Sequence, residues 1–183
     1  MHRRHARRSL AALAAVAAAL LVGLFAAPTA QASINQITCL GSSTQTFSPG
    51  LTNTPQPTAV TISTSYTNCL SLTAPSITSG SSFSAATTPD GSCTSILESS
   101  STPRPTTITW NTGETSTITQ TTAITSVGGQ VVATSTGTVT AGKFLGATSI
   151  RVVTYLGSLI TEGCASPAGL PSNTGPATLN IIL

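Results

Sequence analysis

The sequence predicts a single all-β domain, an antiparallel β-sandwich of Ig-like or barrel-like form, braced by two disulfides and preceded by a cleaved N-terminal signal peptide. Three observations carry that expectation. The first is a basic head with Arg3, Arg4, Arg7 and Arg8, then an uncharged apolar run over residues 10–27, a break at Pro28, and the small-x-small exit Ala30-Gln31-Ala32. That order is the layout of a secretory signal cut before Ser33. The second is an even set of cysteines, Cys39, Cys69, Cys93 and Cys164, all beyond the cut and with no C-x-x-C pair among them. Export to an oxidising compartment favours disulfides for such a set. The third is an abundance of threonine, valine and isoleucine, often alternating, in a stretch where serine and threonine exceed a third of the residues. Disordered chains are usually charged and poor in β-branched residues, whereas this alternation suits a pleated, half-buried surface.

The chain therefore divides into a signal over residues 1–32 and a secreted domain over residues 33–183, long enough to bury one core. The apolar run approaches membrane-spanning length, but alanine dominates it and no basic stop-transfer cluster follows. Arg7-Arg8-Ser9-Leu10 carries a twin-arginine pair without the richer surroundings of a Tat signal, so the general secretory route is favoured. Ser33, where a lipid anchor would need cysteine, argues against acylation.

Taken in order, nine strands are expected. Residues 37–47 end at the loop signals Ser48-Pro49-Gly50 and Pro55-Gln56-Pro57. Residues 58–68 alternate cleanly through Val60, Ile62, Thr64 and Tyr66, and residues 81–88 stop at Pro89-Asp90-Gly91. A short strand over 93–99 leads to an exposed connector, 99–105, with Pro103 and Pro105. Ile108-x-Trp110 marks 106–111, closed by the turn Asn111-Thr112-Gly113. The long segments 115–127 and 130–140 flank Gly128-Gly129, a hairpin signal. Residues 147–156 place Ile150, Val152 and Thr154 on one face and Val153 and Tyr155 on the other. The sequence Leu170-Pro171-Ser172-Asn173-Thr174-Gly175 resembles an L-P-x-T-G sorting signal with one residue too many and reads as a turn before a last strand, 177–183. No segment beyond the signal shows sustained helical periodicity. The expected core holds Ile37, Phe47, Val60, Ile62, Tyr66, Phe83, Ile108, Trp110, Ile118, Ile124, Val132, Val139, Phe144, Val152 and Leu179, with Trp110 read as core rather than as a ligand-stacking platform.

Composition excludes most familiar chemistry. Beyond residue 32, three cations, Arg104, Lys143 and Arg151, stand against four carboxylates, Asp90, Glu98, Glu114 and Glu162, a net charge of −1 where the full chain carries +3. Dispersed cations make no nucleic-acid stripe. Both histidines, His2 and His5, belong to the signal, so a Ser-His-Asp or Cys-His site has no proton shuttle. Thr140-Ala141-Gly142-Lys143 only faintly echoes S-x-x-K. The carboxylates sit beside turns and connectors, which suits a surface role better than a glycosidase pair. No catalytic residue, cofactor or metal ligand is expected, and no membrane contact after cleavage.

Several short motifs span most of the domain: Phe47-Ser48-Pro49-Gly50-Leu51-Thr52, Ile108-Thr109-Trp110-Asn111-Thr112-Gly113 with Ser116-Thr117, Gly137-Thr138-Val139-Thr140 with Gly142-Lys143-Phe144, and Gly163-Cys164. On these the chain resembles a group of small secreted actinobacterial β-sandwich proteins of no established function. The resemblance implies secretion and a β-sandwich, and brings no catalytic residues. The reading is a non-enzymatic protein, secreted and extracellular or held at the envelope, that acts by surface binding to a glycan or protein ligand in the extracellular space or cell wall. The alternative is a surface-coating protein that assembles through sheet edges. Of three pairings open to four cysteines, Cys39–Cys69 with Cys93–Cys164 is expected, because a hairpin of the first two strands brings Cys69 near Cys39 if a bulge or strand end turns it inward.

Overall fold

A computed structural model describes residues 35–183; the signal expected over residues 1–32, and with it the junction at Ala30, Ala32 and Ser33, lies outside the described residues. The threonine- and valine-rich segments form eight strands: β1 Asn35–Leu51, β2 Gln56–Leu70, β3 Gly80–Gly91, β4 Ser100–Trp110, β5 Thr115–Val127, β6 Gln130–Gly142, β7 Thr148–Leu156 and β8 Leu170–Ile182. One helix, α1 Gly157–Ala165, joins β7 to β8. Each strand pairs antiparallel with the next, and β1 pairs with β8 from Asn35↔Ile182 to Leu51↔Leu170, so the sheet closes into an up-and-down barrel. The all-β, antiparallel expectation holds, and of the two forms it leaves open, sandwich-like and barrel-like, the sheet takes the barrel. Alternation fixes which face each strand buries and is the same for two packed sheets as for one sheet curled on itself.

Curvature comes from bulges and glycines. Between Leu40 and Gly41 the β1–β2 register slips, so that Cys39 faces Cys69 while Gly41 faces Tyr66. Gly137 on β6 and Gly175 on β8 lie so close to the Thr119 and Thr154 carbonyls of the adjoining strands that a Cβ would collide with backbone. Only glycine lets the strands curl this tightly.

Several expected boundaries change. The segment expected as a strand over 93–99 is a loop with a 3-10 turn at Ser95–Leu97, and α1 appears where no helix was expected. A nine-residue helix with one buried side chain, Ile160, leaves no periodic stripe to read. The presumed turn at Leu170–Gly175 is the first half of β8, and the presumed connector 99–105 belongs to β4. The Gly128-Gly129 hairpin forms, both glycines taking the positive φ that its tight turn requires.

Inward positions alternate with outward ones around the barrel. Ile37, Cys39 and Phe47 of β1, Ile108 and Trp110 of β4, Ile118 of β5, Val139 of β6 and Leu179 of β8 are buried inside. Outward positions are largely hydroxyl-bearing, and threonines pair across strands: Thr44 with Thr174 at 3.0 Å, Thr107 with Thr117 at 3.1 Å, Thr119 with Thr140 at 3.3 Å. Such cross-strand pairs stabilise a sheet by up to about 1 kcal/mol each. Three expected core residues point the other way. Phe83 is 67% exposed, and Val132 and Val152 lie on the outer face, because it is Val131, Val153 and Tyr155 that turn in.

Both ends are plugged. At one, Trp110 packs edge-on against Phe144 and donates from Nε1 to Ser116 Oγ at 2.9 Å, while Ser116 donates on to the Lys143 carbonyl. Asn111 Oδ1 accepts from Thr78 and Ser79 backbone N–H groups, seating the β2–β3 loop with Ile77 beneath it. Trp110 is therefore core. At the other end Ile160 of α1 packs inward, and Cys93–Cys164 ties the β3–β4 loop to that helix. The second disulfide, Cys39–Cys69, joins β1 to β2.

Candidate functional site

The wall of the barrel parts between β3 and β4. Their pairing covers Gly80↔Trp110 to Ser82↔Ile108 and then stops, although both strands run on. The sequence gives a reason. Asn111 N–H donates to Ser79 O on the β3 side and Trp110 N–H donates to Glu114 O on the β5 side, so odd-numbered donors of β4 face β3. Pro105 stands at one of these odd positions and has no N–H to offer, and Pro103 two residues back lacks one too.

Behind this seam is a cavity of about 580 Å³. Its floor and walls come from inward positions of five strands: Val60 and Ile62 of β2, Ser84 of β3, Thr106 of β4, Gln120 of β5 and Arg151 of β7. The lip is made by Ala85, Pro89, Pro105 and Arg104. That volume lies within the roughly 300–1,000 Å³ of small-molecule sites, and the mixture of apolar walls with a few polar groups is typical of them.

Arg151 is the distinctive group. It occupies an inward position between Ser149 and Val153, opposite Ser135 on β6 and Leu179 on β8. Its Nη2 reaches Ser135 Oγ at 3.4 Å, and its Nε is buried without a hydrogen-bond partner. Tyr66, 1% exposed, lies beside the guanidinium without a hydrogen bond of good geometry, its Oη unpartnered. Burial pushes the Tyr66 hydroxyl above the ordinary tyrosine range, against the pull of Arg151; burial raises Tyr155 likewise, against Ser43 and Arg151. Around them most of the polar interior is paired, Ser43 with Thr64 at 2.9 Å, Thr122 with Ser135 at 2.9 Å and Gln120 with Thr106 at 3.3 Å, while Ser149 Oγ is buried without a partner.

No carboxylate answers Arg151. Asp90, Glu98, Glu114 and Glu162 are all exposed, and among the described residues the one ion pair is Lys143–Glu114 at 3.2 Å, on the outer surface. Thr140 is likewise exposed on the outer face of β6, bonded to Thr119 and the Thr117 carbonyl. The four cysteines form Cys39–Cys69 and Cys93–Cys164, the expected pairing, and serve the frame rather than the cavity.

No known protein family, curated protein or solved structure matches the chain.

Sequence reasoning marks none of the cavity residues as a site, although Val60 and Ile62 are expected to face inward. A signal was present: Arg151 interrupts the apolar run Ile150-Arg151-Val152-Val153, and it shares parity with Val153 and Tyr155. A charge on the buried face of a strand marks either an ion pair or a site. The second cavity arginine, Arg104, sits between two prolines, in a segment whose lack of donors reads as a connector until its neighbours are placed.

Proposed function

We propose that this is a secreted, non-enzymatic binding protein that takes a small ligand into its barrel through the β3–β4 seam. The observation that carries the reading is the cavity itself, walled by inward side chains and open where the two strands part. Its groups are hydroxyls, one amide and two guanidiniums, with no carboxylate or imidazole among them, a set that suits binding rather than acid–base catalysis. The signal-like first 32 residues and two disulfides support export to the extracellular space or the cell envelope. Among the described residues no helix is long and apolar enough to cross a membrane. The outer strand face carries threonine and serine where a membrane barrel carries an apolar band, which supports an aqueous setting. Assembly through sheet edges has less support, since β1–β8 pairing removes the outer edges and the unpaired edge of β4 along the seam carries Pro103 and Pro105, which blunt strand addition.

The test uses a neutral fluorescent amphiphile, N-phenylnaphthylamine. Saturable fluorescence gain with the wild-type protein, lost in Ser84→Trp with its melting transition intact, supports the reading. No saturable gain, or a gain unchanged by Ser84→Trp, overturns it.

A further inference from the structure

We infer that the ligand is a small amphiphilic carboxylic acid, its carboxylate held by Arg151 and its apolar part lying against Val60, Ile62 and the proline-lined lip. This inference rests on the reading of the cavity as a ligand site and adds the chemistry of the ligand.

The argument begins with an imbalance of charge. Arg151 is turned into the barrel with its Nε buried and unpartnered, and its other contact is a long one to a serine hydroxyl. An enclosed cation without a counter-charge is unfavourable, and proteins normally answer one with a carboxylate. Here the elements packed around it present Ser135, Thr122, Gln120, Tyr66 and Leu179, and no acid. The four carboxylates of the domain are all exposed, so none competes for the guanidinium from within. Arg104, of the same inward parity, stands at the lip with Gln120 as its cross-strand partner. A path from solvent to Arg151 thus passes one guanidinium and ends on another, an arrangement that draws anions in.

Arginine also specifies geometry. Its planar fork of N–H donors matches a carboxylate by two parallel hydrogen bonds, and charge-assisted bonds of this kind are about twice as strong as neutral ones. A single enclosed guanidinium balances a single negative charge, which favours a monocarboxylate over a phosphate dianion. The remaining walls, Val60, Ile62, Pro89 and Pro105, present no charge and suit a short hydrocarbon.

Three probes of equal chain length separate the possibilities: octanoate, octanol and octylammonium, titrated by calorimetry into the purified protein with both disulfides formed. Octanoate is expected to bind at least about tenfold more tightly than octanol, the difference that one charge-assisted hydrogen-bonded pair supplies, and octylammonium not at all. In Arg151→Met, octanoate should fall to the affinity of octanol while octanol is unaffected. The melting temperature of that variant should not drop, since it removes an unpaired enclosed charge. Equal binding of octanoate and octanol to the wild-type protein overturns the carboxylate assignment and leaves the cavity reading standing; this comparison needs no variant. A preference for octanoate that survives in Arg151→Met also overturns it. Failure of all three probes, together with failure of N-phenylnaphthylamine, overturns the cavity reading itself.

Discussion

Arg151 and the two tyrosines near it set the chemistry of the interior. A branched apolar residue would fill the Arg151 position without electrostatic penalty, and the chain instead places a permanent cation there beside Tyr66. Tyr66 and Tyr155 are the only tyrosines in the sequence and are 1% and 4% exposed, so ultraviolet titration reads them without background. Both hydroxyls are raised by burial, which means that the folded protein holds these protons at a pH where the unfolded chain has lost them. The unfolded state then binds fewer protons, and stability falls as pH rises. Their contribution is complete below the ordinary tyrosine pKa near 10 and is lost as pH climbs from there toward the folded values. The expected outcome is less tyrosinate absorbance at pH 10 in the folded protein than in the denatured chain while the circular dichroism remains native, then a rise in tyrosinate as the protein unfolds at higher pH. Tyrosinate absorbance at pH 10 equal to that of the denatured chain, with the fold intact, would contradict the buried positions.

Among the strands, β4 borders the opening, and its two prolines lie along the edge that stays unpaired. Replacing Pro103 and Pro105 together by threonine restores two N–H groups, at least one of them directed at β3. A new ladder bond stabilises by about 1 kcal/mol, and loss of proline rigidity in the unfolded chain costs about 0.4–1 kcal/mol per site. These nearly cancel, so the melting temperature should move little. Access should change instead: stopped-flow uptake of N-phenylnaphthylamine is expected to slow in the double variant. An unchanged association rate would show that ligands reach the cavity by another route. The same strand shows what the sequence could and could not convey. Ile108-x-Trp110 announces its buried face, and the turn at Asn111–Gly113 announces its end. Its first half carries no apolar alternation, because its inward residues, Thr102, Arg104 and Thr106, line a cavity and not a core. β7 misleads for a related reason. Branched apolar residues stand on both of its faces, and hydrophobicity alone put Val152 inside where Val153 and Tyr155 belong. The site was illegible where inward residues are polar, which is where it is.

Closure of the whole barrel depends on contacts distant in sequence. β1 meets β8 across nearly the full length of the domain, and no local pattern declares that pairing, since the same nine or so alternating segments fit a sandwich equally well. The two disulfides act on this long-range problem to different degrees. Cys39–Cys69 closes a loop of 30 residues between strands that already face each other in the ladder. Cys93–Cys164 spans 71 residues and pins the β3–β4 loop to α1 at one end of the barrel. In the chain-entropy account the longer loop contributes about 4.4 kcal/mol and the shorter about 3.6 kcal/mol, by restricting the unfolded chain. The two differ by less than 1 kcal/mol on this ground, but the longer bond also fastens a helix that buries one side chain, Ile160, and has little else to hold it down. Cys93→Ala with Cys164→Ala is therefore expected to lower the melting temperature more than Cys39→Ala with Cys69→Ala, and to leave the β1–β2 hairpin as protected from hydrogen exchange as before. Scanning calorimetry of the two double variants decides it. A larger loss from the Cys39–Cys69 pair would mean that pinning the bulged register at Leu40–Gly41, and not the length of chain enclosed, is what holds the barrel closed.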